Sequence, residues 1–350
     1  MTRDRTVLER LNAVRLIVVV MISIGYASTM AVGPHAKEWL HTFGYDPSWF
    51  GIQVLFFLSG WLAWRSLTQG RTGLSFLLSR AKRTLPWVAL YTLVVVAVLY
   101  PALCNHDAPV VKGTGQLGLY FIKTVLLIDP GGPMPGALDN ALYACLLQGT
   151  IWTLRFGMVA YFGLLILFTI GLRNRAWLAA LFAITLLGHL SVSWWTLKTG
   201  STLFEPIIPG LRVGYAFLLG ALLYGARNRL PSRGRSWLAI TSVTFGLAAF
   251  HYYFLPWTHL IEVIATIGFC ALAMTVLQSG LKPLGNWPNI TLPAYLGIWP
   301  VTQTLLALNP NITVPTLVVA SLSVTIAIAL ILRGVADLLS RPVHRRVQPA

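Results

Sequence analysis

Charge is what this chain has least of. Only 10% of its 350 residues are Asp, Glu, Lys or Arg, and only 10 residues are acidic. A soluble domain of this length needs far more polar surface, so a water-soluble globular class is excluded. The scarcity of acids also argues against an ion-coupled transporter, which uses buried carboxylates, and no inverted repeat accompanies it. Cysteine is equally sparse, with 3 in all. That number makes no disulfide framework, and there is no C-x-x-C, no zinc-ligand spacing and no phosphate-binding glycine motif. Cys104 and Cys145 fall near the same expected face, where a disulfide is allowed if the Cα geometry permits, and Cys270 falls inside an apolar run. No internal repeat of about 20–50 residues is evident.

What the chain has instead is apolar sequence. Hydrophobic residues make up 56% of it, gathered in runs of the roughly 17–25 residues that cross a bilayer as helices. The fold class expected is all-α, a polytopic transmembrane helix bundle of about ten spans at residues 12–32, 47–64, 86–103, 150–172, 176–195, 208–225, 236–254, 259–278, 290–308 and 313–333, forming one membrane domain over residues 1–350 with no separate soluble domain. The first run is too long for a signal-peptide core and reads as a retained span. The segment 117–128 is too short to cross with ease and reads as an interfacial or re-entrant helix.

The net charge of +16 does not mark nucleic-acid binding, because the basic residues alternate between gaps. They cluster before the first span (Arg3, Arg5, Arg10) and after the second (Arg65, Arg71, Arg80, Lys82, Arg83). They cluster again after the fourth (Arg173, Arg175), sixth (Arg227, Arg229, Arg233, Arg235) and tenth (Arg341, Arg345, Arg346), with Lys282 after the eighth. The intervening gaps hold few, such as Lys37, Lys112 and Lys198. The positive-inside rule then places both termini in the cytoplasm. The longest gap, 104–149, is on the outer side and rich in Gly and Pro, which suits a lid or a flexible link.

Ionisable groups inside a membrane are expensive and so are functional candidates by default. They are Arg15, Arg155, His189, Arg212, His251, His259 and Glu262, though those near span ends also fit simple snorkelling. Arg15 and Tyr26 are eleven residues apart, about three helical turns or roughly 16 Å, on nearly one face. Ser59 and Gly60 are small enough to let a second backbone approach. Arg80 and Arg83 share a helical face and suit phosphates by bidentate geometry, or anionic headgroups as topology signals. Trp152 and Arg155 also share a face at the outer start of a span, as substrate contacts or interfacial anchors. Pro300 should kink its span, and Gln303 beyond it can hydrogen-bond across helices.

In order along the chain, these segments resemble the acyltransferase-3 family of integral membrane acyltransferases, over nearly the whole length. Arg15 fits the family's first-span arginine, and Tyr26 occupies the slot of its histidine. Residues 51–60 resemble its Gly-hydrophobic-Phe-Phe-hydrophobic-Ser-Gly pattern. Phe76, Arg80, Arg83 and Pro86 fit its Phe…Arg-x-x-Arg-x-x-Pro pattern. Trp152-Thr153-Leu154 and Tyr161 fit its Trp-Thr-Leu-x-x-Glu…Tyr pattern, with Gly157 in place of the Glu. Phe217-Leu218-Leu219-Gly220, then Tyr295, Pro300 and Gln303, fit two further stretches. Arg341-Pro342 fits the C-terminal end, with Ser340 in place of Glu.

The resemblance implies a multi-pass protein of the bacterial cytoplasmic membrane that moves an acyl group, most commonly acetyl, from acyl-coenzyme A to a hydroxyl of an envelope glycan or glycolipid. It implies no tightly bound cofactor and no metal, with acyl-coenzyme A (acetyl-coenzyme A) as co-substrate. By the same resemblance Arg15 and Tyr26 hold the catalytic positions, and Arg80, Arg83 and Ser59 the donor site. Trp152, Arg155 and Gln303 serve an acceptor or structural site. A histidine at position 26 would act as general base or acyl carrier, because its pKa lies near working pH. Tyrosine, with an unperturbed pKa near 10, is ionised in only about one molecule in a thousand at pH 7. Three readings follow: an acyltransferase whose base lies elsewhere, with His35, His41 and His106 as candidates; a lapsed member that binds or scaffolds; and, on Glu262 alone, a transporter.

Overall fold

The structure is a computed structural model that describes residues 2–33, 41–104, 114–134, 136–138, 141–231, 233–255, 257–279 and 289–339. Its described residues form helices and no strands: α1 (Thr2–Val32), α2 (Pro47–Thr68), α3 (Gly73–Val94), a π-helical turn (Val95–Leu99), α4 (Tyr100–Leu103), α5 (Thr114–Val125), α6 (Trp152–Thr169), α7 (Arg175–Thr199), α8 (Ile208–Gly225), α9 (Gly234–Phe254), α10 (Thr258–Gln278), α11 (Thr291–Leu308) and α12 (Val314–Leu339). Each expected span coincides with a helix. Eight are long and apolar enough to cross a membrane, and they make this a multi-pass membrane protein. The remaining two, α9 and α11, carry more polar side chains. In α11 the reason is its position: the whole stretch from Pro293 to Pro300 is buried against other helices rather than lipid.

Local sequence explains the helix ends. Asp46 precedes α2 with Pro47 in the first turn, where its missing N–H costs nothing. The Asn174 side chain accepts from Trp177 N at 2.9 Å to open α7, and Gly200 closes α7 in the left-handed conformation that glycine tolerates. Helix α3 begins thirteen residues before the expected span. Arg80, Lys82 and Arg83 therefore ride on a continuous helix rather than in a loop. The π turn lies just ahead of Pro101, whose ring and missing N–H disturb the regular ladder.

Helix α2 lies centrally, packed along α8 and flanked by α1 and α10; α1 also contacts α11 and α12. The α2 and α8 backbones touch. A Cβ on Gly60 would overlap the Phe217 carbonyl, and one on Gly220 would overlap the Phe57 carbonyl. Small residues on both sides permit this approach, the role expected for Gly60. Outward-facing Ile184, Leu187 and Leu197 of α7 and Val319 and Ile331 of α12 are more than half exposed, as suits contact with lipid.

Between α5 and α6 the chain folds back onto the bundle instead of trailing away from it. Met134, Ala137, Leu147 and Ile151 are buried. Three α11 side chains at i, i+4 and i+8 hold this segment by its carbonyls. Tyr295 donates to Thr150 O at 3.1 Å, Trp299 Nε1 to Leu146 O at 2.8 Å, and Gln303 Nε2 to Tyr143 O at 3.2 Å. Gln148 ties it to α5 and α3 through Tyr120 (3.0 Å) and Thr92 (3.3 Å). The short helix expected at 117–128 is thus present as α5 and braces this plug.

Candidate active site

A cavity of about 760 Å³ opens at the end of the bundle where α1 and α3 begin and α2 and α12 finish. Seven cationic side chains from five parts of the chain line it: Arg15 of α1, Arg65 of α2, Arg71 of the following turn, Arg80, Lys82 and Arg83 of α3, and Arg333 of α12. Among the described lining residues none is acidic. Arg333 is paired with Asp337 one turn on, at 2.8 Å. Such a basic concavity concentrates positive potential and selects for an anionic ligand.

Arg80 forms the throat. Its guanidinium carbon stands 5.1 Å from the Tyr161 ring centroid and 5.5 Å from that of Phe76. The two rings in turn meet edge to face at 5.9 Å. This stacking fixes the planar group while leaving its N–H edge available. Arg80 Nε is buried and makes no hydrogen bond within the protein, an arrangement that a bound anion would complete.

Beyond the throat the lining becomes mainly apolar, with Ile52, Leu55, Phe56, Leu154, Met158 and Pro293, and Ser59 partly exposed among them. Thr153, Gly157 and Tyr161 lie at successive turns on one face of α6, so Thr153 is about 12 Å deeper than Tyr161. Nothing lies within 4 Å of where a Gly157 Cβ would be, so the absent side chain leaves open space. At the inner end, Tyr295 Oη is 2.8 Å from Thr153 Oγ1, and both reach Thr150 O at 3.1 Å. Tyr26 shares a hydrogen bond with Tyr295. Tyr26 itself does not line the cavity. It stands one hydroxyl behind it, with its ring against Trp299 at 5.3 Å.

Comparison with protein families gives the decisive observation: the model of the acyltransferase-3 family, described as an acyltransferase domain, matches residues 8–334. The chain belongs to the acyltransferase-3 family. No curated protein and no solved structure matches it.

The positions singled out in the sequence separate into two groups in space. Arg15, Ser59, Arg80, Arg83, Gly157 and Tyr161 converge on the cavity. Trp152, Arg155 and Gln303 do not line it. Trp152 packs edge-on against Phe156 at 5.7 Å, Arg155 is exposed, and Gln303 holds the plug carbonyls. Of the alternative bases, His41 is held by Asp46 at 2.6 Å, while His35 and His106 lie outside the described residues, as do Ser340, Arg341 and Pro342. No described histidine lines the cavity.

A second polar cluster, toward the opposite end, gathers ionisable residues that the sequence shows only singly. Glu262 of α10 is fully buried. It forms an ion pair with Arg212 of α8, whose Nε stands 2.6 Å away, accepts a hydrogen bond from Gln53 Nε2 of α2 at 2.7 Å and lies 3.4 Å from His189 Nε2 of α7. Arg212 also stacks 3.8 Å from the Trp49 ring centroid. Tyr215 and Thr266 hydrogen-bond Gln53 Oε1, and Tyr45 Oη lies 3.3 Å from His259 Nδ1. Glu262 thus meets partners from three other helices, and the cluster joins four helices through electrostatics. Sequence reasoning missed Gln53, Tyr215 and Thr266, whose neutral side chains give no signal in an apolar run. Arg65 and Arg71 belong to the basic gap after the second span, which the sequence singles out, whereas Arg333 was missed as a cavity residue.

Proposed function

We propose that this protein transfers an acyl group from acyl-coenzyme A, entering the basic cavity from the cytoplasm, to a hydroxyl of an envelope glycan or glycolipid at the opposite membrane face. The observation that carries the reading is the cavity itself. Its cationic mouth and throat give way to an apolar bore that ends at hydroxyls in contact with position 26. A phosphate-rich head joined to a narrow, uncharged arm fits that gradient. Arg65, Arg71, Lys82 and Arg83 would hold the phosphates, Arg80 and Arg15 would guide the head of the arm, and the acyl group would lie near Thr153 and Tyr295. The placement is that of a bacterial cytoplasmic-membrane protein with both termini inside, as the distribution of basic residues favours.

In the reaction the thioester C–S bond breaks, a C–O bond to the acceptor forms, and the acceptor's proton finishes on the coenzyme A sulfur. The acid–base demand is therefore a transfer between substrates. A histidine at position 26 would assist it as a base, through Tyr295, whereas Tyr26 offers only a hydroxyl.

Tyr26 and the lack of a histidine among the described cavity-lining residues favour one second reading, a lapsed family member that still binds the donor. Incorporation of label from radiolabelled acetyl-coenzyme A into envelope glycans, in membranes holding the wild type or Tyr26→His, separates the two. Label incorporated by the wild type supports a working enzyme. Label only with Tyr26→His supports a lapsed enzyme with an intact site. No label from either, together with no coenzyme A binding by the purified protein, refutes both.

A further inference from the structure

We propose that Tyr295 touches the acyl donor: its hydroxyl donates a hydrogen bond to the thioester carbonyl oxygen at the inner end of the cavity, and Thr153 holds it ready to do so. The proposal rests on the donor reading above and adds to it the group that meets the reacting atoms.

Tyr26, Tyr295 and Thr153 carry three hydroxyl protons between them. They make four contacts: Tyr26 with Tyr295, Tyr295 with Thr153 at 2.8 Å, and both Tyr295 and Thr153 with Thr150 O at 3.1 Å. Three protons cannot fill four hydrogen bonds, so one contact is always without a proton. Thr150 O is the acceptor served twice. The Tyr295 proton can therefore swing away toward a carbonyl in the cavity while Thr153 continues to satisfy Thr150 O. Thr150 O is not orphaned by the change, and the Tyr295–Thr153 contact, then without a proton, has to lengthen.

Position supports the same residue. Tyr295 and Thr153 both line the cavity, about 12 Å beyond the level of Tyr161 and Arg80, and the walls around them are largely apolar. In such surroundings a single donor acts strongly on a carbonyl, and more strongly as negative charge develops on that oxygen during acyl transfer. Tyr26 is excluded from this contact by its place behind Tyr295, so it acts on the donor through Tyr295 alone. Thr153 is accordingly a positioning residue and Tyr295 the catalytic one.

The test is infrared spectroscopy of acetyl-coenzyme A labelled with ¹³C at the thioester carbonyl, bound to the purified full-length protein in lipid nanodiscs. In the wild type the bound carbonyl band is expected at a lower frequency than in Tyr295→Phe. The variant should weaken acetyl-coenzyme A binding only about 2- to 10-fold, the worth of one hydrogen bond, and leave binding of unacylated coenzyme A unchanged. Thr153→Val, which hands Thr150 O back to Tyr295, should also raise the band, whereas Thr153→Ser should restore the wild-type position. That pair decides the matter if Tyr295→Phe does not fold. Identical bands in the wild type, Tyr295→Phe and Thr153→Val would overturn the proposal while leaving the donor reading intact. Failure of the wild type to bind acetyl-coenzyme A would overturn both.

Discussion

The rings of Tyr26 and Trp299 meet edge to face, centroids 5.3 Å apart and planes at 75°. Tyr143 of the plug packs against the same Trp299 ring, also at 5.3 Å and nearly perpendicular. Position 26 on α1 is thereby joined to α11 and to the plug through one indole, whose N–H is fixed on Leu146 O. Edge-to-face pairs contribute about 0.5–1.5 kcal/mol beyond their burial, so this contact has weight in setting where the Tyr26 hydroxyl stands.

Gly149 makes that seat for Trp299, because any Cβ there would overlap the indole ring. Gly149→Ala should destabilise the protein by about 1–3 kcal/mol, the usual cost of overpacking. Thermal unfolding in detergent checks this, and the plug should become more open to proteolysis while the coenzyme A affinity holds.

The α2–α8 contact gives a sharper packing prediction. Gly60→Ala and Gly220→Ala each place a methyl group on the other helix's backbone. Each should cost about 1–3 kcal/mol or more. The two together should cost less than their sum, because either one already forces the helices apart. A double-mutant cycle on unfolding free energies measures the coupling, and full additivity would count against a shared contact.

The organisation of the chain was readable because membrane crossing imposes a strict length and composition on helices. The runs around 47–64 and 259–278 could hardly be anything else. The boundary of α3 was not readable, since Arg80, Lys82 and Arg83 fall in the charged gap ahead of the apolar run, and only the structure shows their helix continuous with that run and its basic turn facing a cavity. Arg15, Arg80, Arg83, Ser59 and Gly157 could be noted from their order along the chain, but their convergence is a tertiary fact. So is the cluster around Glu262, whose partners Gln53, His189 and Arg212 come from three other helices. The plug was hidden for another reason. It is irregular chain held mostly by backbone carbonyls, and carbonyls leave no mark in sequence.

The Glu262 cluster is predicted to stabilise the protein because its buried charges compensate one another. Removing one member of a buried ion pair costs about 3–5 kcal/mol, since the other is left uncompensated. Glu262→Gln and Arg212→Met should each show losses of that order, and the double variant should lose less than either single change. Unfolding of the purified variants reads this directly. A single variant as stable as the wild type would show that the pair is dispensable.

Central to the proposed function is that the basic cavity holds the phosphates of an acyl-coenzyme A donor. Titration calorimetry of coenzyme A into the purified wild type and into Arg80→Gln/Arg83→Gln tests it most directly. A charge-assisted hydrogen bond contributes about 1.5–3 kcal/mol, so the double variant should bind at least about 10-fold more weakly. Binding to the wild type should also weaken as salt is added. Equal affinity in both proteins would reduce these arginines to topology signals, and no binding by the wild type would contradict the account.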